Sequence, residues 1–290
     1  MMNTPESTHL PLADRLLTID RRFIYLFVML AAVIPFMFKV ELDVEVTPEV
    51  MSVYSFIDKL KPGTPILLAA DYDPQTQAEN GPQAEALLRH MFKNNLRVII
   101  MTLSQDGAAM AEMLSTSISA EYNKIRGEDY VYLGYKPYFG IIILSIGQNF
   151  RISYPADFYD TPLDEIPMMK NIHNYSDLAC VIQIGGGNVT HAWLTNAHER
   201  YKVPLAIAVT AVSGPQYYAT LQSGQIFGLI GGLKGAAEYE TLLRDEYRRL
   251  GIIARAIQGM NVQNFVHILI ILLTLVGNAA FFVKKRQGGR

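Results

Sequence analysis

Residues 65–74 read Pro-Ile-Leu-Leu-Ala-Ala-Asp-Tyr-Asp-Pro, and the first six of them decide the fold. An unbroken apolar run without polar alternation implies a strand covered on both faces, the condition of a parallel sheet. The run stops at two carboxylates and a proline, residue types that end a strand and open a turn. Upstream, Val50, Val53, Tyr54, Ile57 and Leu60 recur at helical spacing and predict a helix over 49–60, closed by Lys61-Pro62-Gly63.

Downstream the same alternation repeats. Ala84, Leu87, Leu88, Met91 and Phe92 mark one face of a helix over 84–94, and residues 96–103 (LRVIIMTL) form a second buried strand. Met110, Met113, Leu114 and Ile118 stripe a helix over 107–122, and 130–133 reads as a short third strand. Residues 140–146 (GIIILSI) fit a strand or the core of a buried helix, and their length and β-branching favour the strand. Residues 155–167 are loop-like. Residues 179–184 (ACVIQI) make a fourth strand, 190–202 a helix, and 204–209 (PLAIAV) a fifth strand. Strands alternating with helices predict a doubly wound, mostly parallel α/β sheet, Rossmann-like or flavodoxin-like.

The two ends have a different character. Residues 265–283 hold no Asp, Glu, Lys or Arg and are followed by Lys284, Lys285 and Arg286. At 1.5 Å per residue, such a stretch nearly matches a hydrocarbon core of roughly 30 Å. A second apolar run, 23–38, follows Arg21 and Arg22. It is preceded by a polar tail and lacks a small-x-small cleavage edge, so it reads as a retained anchor. The expected organisation is a polar tail (1–20), a first span (21–42) and an α/β domain (43–214). A glycine-rich helical region with an amphipathic connector (215–262), a second span (263–284) and a basic tail (285–290) complete it. Basic residues outside both spans place the two termini in the cytoplasm and the central domain outside. Arg244, Arg248, Arg249 and Arg255 count for the opposite topology.

The chain has 290 residues, a formal net charge of −2 and a single cysteine, Cys180. The charge argues against nucleic acid as a partner, because phosphate binding needs clustered Lys and Arg. One cysteine excludes an intrachain disulfide and any multi-cysteine metal site. The expected partners are the lipid bilayer and either copies of the chain or other membrane proteins.

Chemistry, if any, belongs beyond the carboxyl ends of the strands. Asp71 and Asp73, leaving the first strand two residues apart, suit a hard cation such as Mg²⁺. With Thr102 at the end of the next strand they resemble the haloacid-dehalogenase layout, which implies an aspartate nucleophile at Asp71. The resemblance covers those three residues alone, and Gly185-Gly186-Gly187 stands where that layout carries an acidic pair. The plainer reading is a turn and helix cap. Gly185, Gly186, Gly187 and Asn188 open the helix at 190, where a ligand can approach backbone N–H groups closely, and Ser213 ends the fifth strand's loop. His191 and His198 stand two helical turns apart, too far to share one zinc. No GxSxG or P-loop motif occurs.

Gly224, Gly228, Gly231, Gly232 and Gly235 recur at helical spacing in SGQIFGLIGGLKGAAEYE. Glycines cost a solvated helix about 1 kcal/mol each, so this row predicts a helix face against which another backbone packs, in the same chain or in a neighbour. The sequence thus predicts a doubly anchored, non-catalytic scaffold subunit of an oligomeric membrane assembly. The alternative is a tethered enzyme or sensor for an anionic, phosphate-containing ligand at the sheet's carboxyl edge.

Overall fold

A computed structural model describes residues 16–37 and 44–288. The tail at 1–15, the end of the expected first span at 38–43 and residues 289–290 lie outside the described residues. The chain divides into two compact units, Asp43–Ile257 and Met1–Leu42 with Gln258–Arg290.

The second of these units holds helix α1 (Arg21–Met37), interrupted by Pro35, and most of the long helix that ends at Gly288. Among the described residues one helix is long and apolar enough to cross a membrane, Arg255–Arg286, whose most apolar 18-residue stretch has a mean hydropathy of 2.4. The expected first span falls short of that measure, since its described helix has 17 residues.

The unit Asp43–Ile257 is an α/β domain. Its strands are β1 (Pro65–Ala70), β2 (Arg97–Thr102), β3 (Tyr130–Tyr135), β4 (Val181–Ile184), β5 (Leu205–Val209) and β6 (Gly228–Gly231). All pair in parallel, in the order β3-β2-β1-β4-β5-β6. This is the order of the Rossmann fold. The apolar runs are continuous because successive residues serve opposite layers: Leu67 and Ala69 enter one core, Ile66, Leu68 and Ala70 the other. One layer is built from α2 (Pro48–Asp58), α3 (Gln77–Lys93), α4 (Ala108–Glu121) and α7 (Gly232–Leu242). The other is built from α5 (Phe139–Gln148), the loops of 154–178, and α6 (Asn188–Ala192), which continues as a π-helical stretch, Trp193–Glu199. A short α8 (Arg244–Leu250) leads to α9 (Arg255–Gly288).

Two expectations fail here. Residues 140–146 form the helix α5, not a strand. Ile142, Ile143 and Ile146 enter the core while Ile141 stays 66% exposed, a helical sidedness that outweighs β-branching. The glycine row is no helical face either. Gly224 lies in a turn, Gly228 and Gly231 bound β6, and only Gly232 and Gly235 enter a helix. In β6, Leu229 and Ile230 alternate between the two cores, a period of two rather than 3.6. The glycines still permit close packing, but within the domain. A Cβ at Gly228 would stand 2.3 Å from Val53 Cγ2 of α2, and one at Gly232 would stand 2.6 Å from Ala211 Cβ. The α/β unit therefore extends past residue 214, taking in β6 and α7.

Candidate functional site at the sheet's switch point

The crossovers from β1 to β3 run on one face of the sheet, and those from β3 to β6 on the other. The strand order consequently reverses between β1 and β4, and the region beyond their carboxyl ends is the usual ligand position in open α/β sheets. Asp71 follows β1 and Gly185 follows β4. Asp71 N–H donates to Ile184 O at 2.7 Å and Gly185 N–H donates to Ala208 O at 2.9 Å, so each loop continues its ladder by one bond. Gly185 has φ +146°, and a Cβ there would lie 2.8 Å from the Asp71 carbonyl oxygen. Only glycine lets the two backbones come this close.

Asp71 is not a free carboxylate. It is 7% exposed, with Oδ1 accepting the Leu103 N–H at 2.7 Å and Oδ2 accepting Trp193 Nε1–H at 2.8 Å. The side chain ties β1 to the β2–α4 loop and to α6. Burial pushes its pKa up to about 6, an effect partly offset by the Leu103 and Trp193 donors and by Gln183 beside it. Gln183 is fully buried in β4, and its amide makes no hydrogen bond of ordinary geometry.

Asp73 is a turn residue. Its Oδ1 accepts the Gln75 N–H, the Thr76 N–H and the Thr76 hydroxyl, each at 3.0 Å, just ahead of α3. Thr102 is fully buried, and its Oγ1 accepts the Ser104 N–H at 3.1 Å. Asp71, Asp73 and Thr102 thus spend their polar atoms on three separate local tasks. Among the described residues no group of three or more His, Cys, Asp or Glu could hold a metal ion.

The β4 side differs. Gly187 has φ +69°, and a Cβ there would meet nothing within 4 Å; Gly186 stands opposite Ser213, whose Oγ would lie 3.6 Å from a Cβ at Gly186. Ser213 Oγ accepts the Thr210 hydroxyl at 3.1 Å. Gly187 and Asn188 continue into an open cleft of about 400 Å³ between α6 and residues 216–225, lined also by His191, Glu199, Tyr217 and Thr220. Its lining includes one acid and neither Lys nor Arg. Burial raises the Tyr217 pKa, while Thr190 and Gln216 beside it pull the other way. His198 turns away: its Nδ1 lies 3.0 Å from Val203 O.

Several site residues escape a sequence reading. Trp193 is the lone tryptophan, and nothing local says that it meets Asp71. Gln183 is detectable as the single amide in an otherwise apolar strand. Gln83, fully buried in α3, donates to Val209 O at 3.0 Å and Gly232 O at 2.9 Å, fastening the carboxyl ends of β5 and β6.

No protein-family model matches the chain, and no curated protein matches it. A solved structure titled trehalose-6-phosphate synthase OtsA is similar over 79% of this chain and 47% of its own length, with 10% identity and a TM-score of 0.29, a likeness that carries no argument about function.

Proposed function

We propose that this protein is a membrane-anchored, non-catalytic binding protein whose α/β unit takes a small polar ligand at the β1/β4 switch point. The observation that supports this reading is the asymmetry of the two loops: the Asp71 carboxylate is consumed by the fold, while Gly187 and Asn188 line an open cleft. Neutral hydrogen-bonding groups and the absence of Lys and Arg from the lining favour an uncharged, hydroxyl- or amide-bearing ligand over a phosphate. Calorimetry with matched pairs, such as adenosine against AMP and ribose against ribose 5-phosphate, tests it. Asn188→Trp puts a bulky side chain at an exposed position of the cleft's own lining. Binding of one uncharged compound that this variant abolishes, with its unfolding temperature kept, is the expected result. Equal binding by the variant, or no binding by any compound, refutes the reading.

The membrane arrangement belongs to the same proposal. α1 would be a second span beside α9, with both termini cytoplasmic and the α/β unit outside, as Arg21, Arg22, Lys284, Lys285 and Arg286 suggest. Val212 is 92% exposed and Cys180 fully buried, so Val212→Cys gives a single reactive thiol. Labelling by a membrane-impermeant maleimide in intact cells is expected; labelling only after lysis reverses the topology.

A scaffold role is the competing reading. Exposed apolar side chains on carboxyl-edge loops favour it: Tyr138 at 78% and Val212 at 92%. Light scattering of the detergent-solubilised protein separates the two, since a scaffold that docks on copies of itself is oligomeric and the binding reading needs only a monomer.

A further inference from the structure

The root of α9 is fastened by one buried side chain. Glu240 in α7 is 2% exposed, and its carboxyl oxygens accept the N–H groups of Ala256 (3.1 Å) and Ile257 (2.9 Å), two of the free donors in the first turn of α9. Ala256 is itself fully buried. The charged groups around Glu240 come from each packed element. From α3 these are Glu85 and Arg89; α8 adds the neutral Tyr247 phenol, and Arg255 of α9 pairs with Glu85 at 3.3 Å. Arg89 does not neutralise Glu240 directly. Its guanidinium is committed to Glu121 at 2.8 and 2.9 Å, to Glu85 at 3.1 Å and to the Tyr247 hydroxyl at 3.2 Å.

We infer that Glu240 makes the first turn of α9 a proton-controlled joint, held tightest when the carboxyl is protonated and loosened when it ionises. Among the described residues an ionised carboxylate sealed here has two N–H donors and no ion pair, and Glu85 adds a like charge; opening the turn lets water reach it. Burial pushes the Glu240 pKa up to about 7 from an ordinary 4.5, with Glu85 adding and the two N–H donors and Arg89 subtracting. The closed turn therefore binds a proton that the open turn releases as Glu240–COOH becomes Glu240–COO⁻. Closure is strongest below the ordinary value, is lost progressively as pH rises to about 7, and is level above it.

Hydrogen exchange at the Ala256 and Ile257 amides of the full-length protein in detergent, corrected for intrinsic exchange, reads this directly. Between pH 5 and 7 the wild-type opening constant is expected to rise by up to roughly tenfold per pH unit and then level off. Glu240→Gln, a permanent mimic of the neutral form, is expected to be flat, while Asp71→Asn, which removes a distant buried carboxyl, keeps the wild-type slope. A flat wild-type profile, or an unchanged slope in Glu240→Gln, overturns the inference. If Glu240→Gln does not fold, carbon-detected titration of wild-type Glu240 decides: a midpoint near an ordinary glutamate refutes the joint, and one near neutrality supports it.

Discussion

The two loops that meet at the switch point have opposite fates. The loop after β1 brings two carboxylates, and the fold uses both: Asp71 holds Leu103 and Trp193, and Asp73 closes a turn onto Gln75 and Thr76. The loop after β4 brings three glycines and an asparagine, and only its first glycine is committed to packing. Charged groups at a strand end are therefore no sign of chemistry until their partners are known. A buried carboxylate with two N–H donors and no cation is a tether with a raised pKa. The glycine loop keeps open space at Gly187.

Removing the tether gives the largest expected effect. Asp71→Ala leaves the Leu103 N–H and the Trp193 indole N–H buried without an acceptor, and about 3 kcal/mol of stability should be lost in denaturant unfolding. A loss below about 1 kcal/mol would mean that Asp71 is not structural, and the contrast between the loops would collapse. Next comes pH. The native state binds the Asp71 proton more tightly than the unfolded chain, so the stability that Asp71 contributes is fully present below about pH 4 and is lost as pH rises through about 6. The loss should be about 2 kcal/mol, on top of the Glu240 contribution of the same sign, and it should be absent from Asp71→Asn. The glycine loop offers an internal control. Gly185→Ala forces a Cβ to 2.8 Å from Asp71 O at φ +146° and should cost about 2 kcal/mol. Gly186→Ala meets only ordinary contact and should change stability by less than about 0.5 kcal/mol. Equal costs for the two would erase the distinction between a packed and an open glycine. Between the two glycines stands Asp73→Ala, which removes a turn acceptor at a half-buried site and should cost about 0.5–1 kcal/mol.

Legibility followed how local each signal was. β1 is bounded by its own residues, a proline at its first position and a carboxylate after its last, and its limits match the run 65–70. β2 and β5 are a residue or two shorter than their apolar runs, because pairing ends where the neighbouring strand does. α5 and β6 were misread for the same reason. Four isoleucines in a row of ten residues carry no period that separates strand from helix, and GLIGGLKG repeats glycine at a spacing that fits a helix. In each case the decision came from distant partners: Tyr175, whose hydroxyl donates to Ile143 O, and β5, which pairs with Gly228–Gly231.

What the sequence determined by itself was a buried parallel sheet alternating with helices, and an apolar stretch within 255–286 long enough to cross a bilayer. Burial on both faces and hydrophobic length are written in consecutive residues. Only the tertiary structure decided the strand order β3-β2-β1-β4-β5-β6, hence which loops meet at the switch point. It also turned Asp71 from a candidate ligand into a tether and placed Glu240 against the first turn of α9. The reason is the same throughout: what a carboxylate does is set by the donors around it, and here those donors come from residues up to 122 positions away.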